Sequence, residues 1–171
     1  MRRFILGFLT AVGLIIVGGA GYLALGLAPV ATASAPLPLE QLVTGIALHA
    51  RINKEAPKSS PIPPTEDVYA AGARIYRNNC AVCHGLPDRE QTAIAKGEFP
   101  KPPELFEGKG VTDDPVGDTY WVVANGIRLT GMPGFTGSLS TDQMWQVSLL
   151  LAHADKLSPG VKSALQAPLA Q

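Results

Sequence analysis

The chain is 171 residues long, and its 14 Lys+Arg balance its 14 Asp+Glu, so no net charge recommends it to nucleic acid or to an acidic partner. Hydrophobic residues make up 46% of it, but many fall in the first 35 positions and do not count toward a water-soluble core. What remains suffices for one domain of about 90–95 residues and an arm, which is small for a self-sufficient apolar core.

Arg2 and Arg3 precede an uncharged stretch, residues 4–28, closed by Pro29. At ~1.5 Å per residue it reaches roughly 37 Å, enough to cross a ~30 Å hydrocarbon layer with some tilt. The positive-inside rule places Met1 in the cytoplasm and everything after Pro29 on the periplasmic side, as a single-pass protein of the inner membrane. The rival reading is a cleaved signal peptide, because Ala31-Thr32-Ala33 and Ala33-Ser34-Ala35 both look like cleavage sites. A signal's apolar region is usually about 7–15 residues and this one is much longer, which favours an uncleaved anchor over residues 1–35.

Residues 36–64 read as an arm and a linker. Leu39 to Asn53 is an amphipathic helix with Leu39, Leu42, Val43, Ile46 and Ala50 on one stripe and His49 at its edge. That stripe is expected to lie on the following domain or on a partner. Ala56 to Pro64 holds four prolines and reads as a semi-rigid spacer outside any core.

A domain is expected over residues 65–158. Thr65 is a plausible N-cap, Glu66 and Asp67 suit the first helical turn, and Val68, Gly72, Ile75, Tyr76 and Asn79 recur at helical spacing. This helix delivers Cys80-Ala81-Val82-Cys83-His84. Two cysteines separated by two residues, with histidine next, is the spacing of covalent haem c attachment. On a short helical turn the two sulfurs reach the two vinyl groups of one porphyrin edge, and His84 faces the iron from the same side. A thioredoxin-like pair expects a preceding strand, and structural zinc needs four ligands, for which the chain has no second cysteine pair. Both cysteines being used, no disulfide is expected, and a porphyrin would supply much of the missing apolar volume.

Residues 86–115 are rich in turn signals, with at most a short helix. Asp118 or Thr119 can cap a helix through Tyr120, Trp121, Val122 and Val123 that Asn125-Gly126 stops. The loop Gly131-Met132-Pro133-Gly134-Phe135 follows. Ser140-Thr141-Asp142-Gln143 is a capping box, opening a helix with Met144, Val147, Leu150, Leu151, Ala154 and Leu157 on its apolar face. Pro159-Gly160 is expected to lie beyond its end, with residues 159–171, Pro168 among them, a frayed tail.

The sixth position on the iron decides what the haem can do, and the candidates are Met132, Met144, His49, His153, or none. Met144 lies on an apolar helical face, where methionine is usually core filler. Met132 is favoured: it sits in a loop between glycine and proline, where no periodicity explains an apolar side chain. Gly131 and Gly134 would let the chain pass close to the porphyrin.

On Cys80-Ala81-Val82-Cys83-His84-Gly85, Gly131-Met132-Pro133 and the flanking helices, residues 65 to 157 resemble the class I c-type cytochromes, specifically membrane-anchored bacterial monohaem members. The resemblance implies a small all-α fold around one covalently attached haem c, with Gly72 and Tyr76 where the first helix crosses the last. It also implies that a carbonyl in the Pro102-Pro103 region accepts a hydrogen bond from His84 Nδ1. Arg128, near the Met132 loop, reads as a solvated arginine that could otherwise reach a haem propionate. With Cys80, Cys83, His84 and Met132 holding the cofactor, the last two on the metal, the expected role is non-enzymatic. It would carry single electrons between membrane or periplasmic redox proteins. The alternatives are a haem-bearing subunit of a larger dehydrogenase or reductase complex, or a haem peroxidase or gas-binding protein with an open sixth site.

Overall fold

The computed structural model describes residues 1–167, and every regular element among them is a helix. Pro168, expected in the frayed tail, lies outside the described residues. The chain divides into two units after Glu40. The first contains α1, Arg2–Ala24, a 23-residue helix with no buried residue. It is long and apolar enough to cross a membrane, as a signal sequence near the N-terminus also can be.

The second unit holds the rest. Its α2, Glu40–Glu55, is amphipathic, but the seated face differs from the expected one. Leu42, Val43 and Ile46 are exposed, whereas Ile52 and, just past the helix, Ala56 are 7% exposed. Gly45 and Leu48 continue that second stripe at i, i+3 and i+4 spacing. The spacer differs too: Ala56 belongs to the core, and the Pro57 carbonyl abuts Gly117 so closely that a side chain at Gly117 would collide with it.

Thr65 caps α3, Glu66–Asn79, as its sequence promises, accepting from Val68 N at 3.4 Å. The one-turn α4, Ala81–His84, follows at once, ending at Gly85 with φ 74°. The short α5, Ala93–Gly97, is capped by Thr92. Helix α6, Val116–Asn125, begins at Pro115 and not at Asp118 or Thr119, so Asp118 instead lies in its first turn, where an acid suits the helix dipole. Gly126 closes it with φ 68°. The capping box is realised at the start of α7, Thr141–Ala152, Ser140 and Gln143 each bonding the other's backbone.

A single 3₁₀ turn, Ala154–Lys156, leads to α8, Pro159–Gln166, where a frayed tail was expected. Ser158 accepts from Val161 N and Pro159 occupies the first helical turn, where its missing N–H costs nothing. Helix α8 buries Val161 and Leu165, and Arg77 Nη1 of α3 donates to its Ala164 carbonyl at 2.9 Å.

Helices α3, α7 and α8 make the core, through Ala73, Tyr76, Val147, Leu150, Val161 and Leu165. The α3–α7 crossing is tight because Gly72 has no side chain: a Cβ there would lie 2.8 Å from the Gln146 carbonyl carbon and 3.0 Å from Leu150 Cβ. At that crossing Tyr76, fully buried, donates to the Gly85 carbonyl at 2.8 Å and meets Phe106 edge-on at 4.9 Å between centroids. The helix that carries the cysteines is thereby tied both to the core and to the turn beyond His84.

Candidate functional site

Beside this core lies a cavity of about 350 Å³, at the small end of the ~300–1,000 Å³ typical of cofactor sites. Its walls are mostly apolar, with Val122, Val123, Ile127, Leu105, Phe135 and Leu151 among them. Cys80, Cys83, His84 and Met132 all line it, so the structure brings the expected residues of the cofactor site to one space.

Helix α3 ends at Cys80, and the single turn of α4 carries Cys83 and His84 round to the cavity. Burial, with Cys83 adjacent, pushes the Cys80 thiol up to about 12. Cys83 is pushed up to about 11, by burial first and then by its hydrogen bond to the Glu98 carboxylate at 3.1 Å and that group's charge. Before haem is attached both are therefore protonated at neutral pH.

His84 Nδ1 lies 2.8 Å from the Pro103 carbonyl, and as the donor it leaves Nε2 as the ring's ligating nitrogen. The loop that supplies that carbonyl is itself held, because buried Gln91 donates to Pro102 O at 3.2 Å. Thr92 Oγ1 donates to the Val82 carbonyl at 2.5 Å, clamping α5 onto the cysteine turn. Gln91 and Glu98 give no sequence signal, whereas Thr92 is a recognisable cap.

On the other side, the Met132 loop is cross-braced. Ile127 N donates to Met132 O at 3.1 Å, Met132 N to Thr130 Oγ1 at 3.1 Å, and Thr130 Oγ1 to Ile127 O at 2.7 Å. Its outgoing leg is pinned to the end of α6 by Phe135 N donating to Val123 O at 2.9 Å. Gly126 and Gly134 allow these legs to touch, since a Cβ on Gly134 would sit 2.8 Å from the Asn125 carbonyl. Gly134 thus serves the helix end. A Cβ on Gly131 would run into the Glu98 carboxylate.

The other ligand candidates sort cleanly. Met144 is 3% exposed in the helical core, and His153 stacks on Tyr69 at 4.7 Å between centroids; neither lines the cavity. His49 does, with Nδ1 2.7 Å from the Gly45 carbonyl of its own helix. Arg128 is exposed and away from the cavity.

The donor set suits haem c. Two thiols and a histidine at the attachment spacing, a thioether on a braced loop and apolar walls share one cavity, and Thr119, whose buried hydroxyl has no partner, is among its lining residues.

Known proteins resemble this chain in sequence and fold. A family model described as cytochrome c oxidase, cbb3-type, subunit III matches residues 67–149. Cytochrome c6 of Limnospira maxima is 35% identical over 79 residues, which are 46% of this chain and 84% of the relative. A solved reducing HAO-like protein complex of Kuenenia stuttgartiensis is similar at a TM-score of 0.50 and 27% identity, over 58% of this chain. The likeness spans 49% of the solved chain, about half its length.

Proposed function

Because this chain belongs to the class I c-type cytochromes, with haem c bound covalently, we propose that it carries single electrons between redox proteins while tethered to a membrane by α1. Cys80 and Cys83 form the thioethers, and His84 and Met132 are the two axial ligands. Haem supplies a one-electron couple, and Met/His ligation sets it at a higher potential than two histidines would. The observation that carries the reading is that His84, oriented by Pro103, and Met132, on its braced loop, line the same cavity as both cysteines.

Two protein ligands leave no coordination site for oxygen or peroxide, so the role is non-enzymatic. Arg2 and Arg3 ahead of α1 support a haem unit on the periplasmic face of the inner membrane. Residues 36–64 then form an arm and linker ahead of a cytochrome domain that runs from residue 65 through α8, whose Val161 and Leu165 belong to its core. A tethered carrier meets its partners at raised effective concentration.

A redox titration followed optically tests the assignment. The oxidised protein should show a sulfur-to-iron charge-transfer band, and Met132→Ala should lose it. The reduced Met132→Ala/His49→Ala protein should bind carbon monoxide, since His49 is a second ligand-capable side chain in the cavity. An unchanged band in Met132→Ala would refute the ligand.

A second reading is a haem-bearing subunit of a larger complex. The family model named for an oxidase subunit and the likeness to a multisubunit complex favour it. Stoichiometric co-purification of a catalytic chain through detergent would support this over a free carrier.

A further inference from the structure

Apolar side chains scattered singly over a surface need no explanation, but a contiguous stripe of them does. On α2, Leu42, Val43 and Ile46 are 58%, 62% and 63% exposed, although Ile52 of the same helix is buried. At 3.6 residues per turn the three fall within one arc of about 100°, and Ile52 lies outside it. None of the three lines the haem cavity.

The charge pattern says what covers them. Between Arg3 and Arg51 the sequence holds a single Asp, Glu, Lys or Arg, which is Glu40. Residues 41–50, the part of α2 that carries the stripe, therefore bear no such group on any side. A protein that docks reversibly is steered by charge and meets a polar rim, and this surface offers neither. A lipid surface asks only for apolar area. The chain brings that lipid close: α1 ends at Ala24, and residues 25–40 alone separate it from the stripe. The stripe thus meets a bilayer at raised effective concentration.

We propose that the Leu42, Val43 and Ile46 face of α2 lies on the membrane surface, so that the haem unit is held to the bilayer at a second point besides its anchor. This rests on the tether in the reading above and not on the haem ligands. Leu42, Ile46, His49 and Asn53 are spaced i, i+4, i+7 and i+11, on one side of the helix, and the last two line the haem cavity. The lipid-facing side therefore runs on into the cavity wall, with Asn53 about 10 Å along the axis from Ile46. A docked arm keeps the haem cavity near the bilayer surface, which suits redox partners that are themselves integral to the membrane.

Lipid photo-cross-linking of the full-length holoprotein tests this, in discs of phosphatidylcholine doped with a diazirine-bearing phosphatidylcholine. Light inserts the probe into whatever protein touches the lipid. Cleavage after Glu40 and Glu55 then separates residues 41–55 from the anchor for mass mapping. Adducts should fall on α1 and on Leu42, Val43 or Ile46, and not on Thr44, which is exposed on the far side of α2. Leu42→Gln/Ile46→Gln, altering two exposed side chains, should lose most α2 adducts and keep those on α1. Raising the salt concentration should change neither, because screening acts only on charge.

Adducts on α1 alone would overturn the proposal and leave the tether standing. Adducts on α2 that vanish at high salt would overturn it too. So would an α2 free of lipid whose Lys54 cross-links to Lys54 of a second copy, since the stripe would then belong to a dimer. Adducts on α2 in a mature chain whose mass lacks α1 would refute the tether and uphold the stripe; an unlabelled α2 in such a chain would sink both.

Discussion

Gly72→Ala sets two effects of opposite sign against each other. In a helix interior alanine is favoured over glycine by about 1 kcal/mol. Here, however, the new methyl would lie 2.8 Å from the Gln146 carbonyl carbon, nearer still to its oxygen, and 3.0 Å from Leu150 Cβ. Two of those atoms are α7 backbone, so no side-chain rotation relieves the contact, and α3 must move off α7. That loosens the packing of Ala73, Tyr76, Val147 and Leu150, all of them fully buried. Overpacking of this kind costs typically 1–3 kcal/mol, and the top of that range applies where backbone is struck, leaving a net loss of about 1–2 kcal/mol. For a domain of this size that lowers Tm by roughly 4–16 °C.

Gly45→Ala is the control. It is also within a helix, α2, but a Cβ there meets nothing within 4 Å, so the propensity gain should appear alone. Thermal melts of the two holoproteins, followed by far-UV circular dichroism, should move in opposite directions. A Gly72→Ala protein as stable as the parent would mean that the crossing does not depend on close backbone approach.

Tyr76→Phe removes a buried donor and leaves the Gly85 carbonyl unpaired, which should cost about 1–3 kcal/mol in chemical denaturation. Burial raises the Tyr76 phenol well above its ordinary value, so the folded protein keeps the proton that the unfolded chain gives up near pH 10. The stability this group contributes is complete below about pH 10 and is lost as pH rises further, and the Phe variant should lack that alkaline loss. Gly117→Ala should drive the Pro57 carbonyl off α6 and loosen the end of α2; faster amide exchange over residues 48–56, with the α3 amides unchanged, would show it.

Much of this was legible because the local signals are unambiguous. The capping box at Ser140 and Gln143 and the Thr65 cap each satisfy backbone donors that nothing else can reach, so they fix the starts of α7 and α3. Met132 stood out because an apolar side chain between Gly131 and Pro133 has no helical face to explain it. The errors came where one residue type serves two roles. Pro159-Gly160 looked like the stop beyond one helix and is the first turn of another. Asp118 looked like a cap and is a first-turn acid. On α2, periodicity found the stripe through Leu42, Val43 and Ile46, whereas the helix buries Ile52 on another face, because which apolar stripe is seated depends on the elements it meets. Thr119 could not be found by pattern, since whether a buried hydroxyl has a partner depends on atoms far away in sequence.

The distribution of burial shows which part of the domain the cofactor must complete. Apart from Cys80, Leu157 and Val123 of α6, the core cluster consists entirely of α3, α7 and α8 residues. Around the cavity, Leu105, Val111 and Phe135 are only partly buried. The three-helix part therefore has its own core, while the segment from Gly85 to Phe135 has apolar side chains facing the space the porphyrin fills. Without haem those side chains have little to pack against, and the entropy of ordering their backbone goes unopposed. A Cys80→Ser/Cys83→Ser chain made haem-free should therefore keep slow amide exchange on α3 and α7 and lose protection between Leu86 and Phe135. Equal protection in both parts would mean that the cavity walls fold without the cofactor; none in either would mean that the three helices cannot hold together without it. Only an unequal result fits a domain whose core is half protein and half haem.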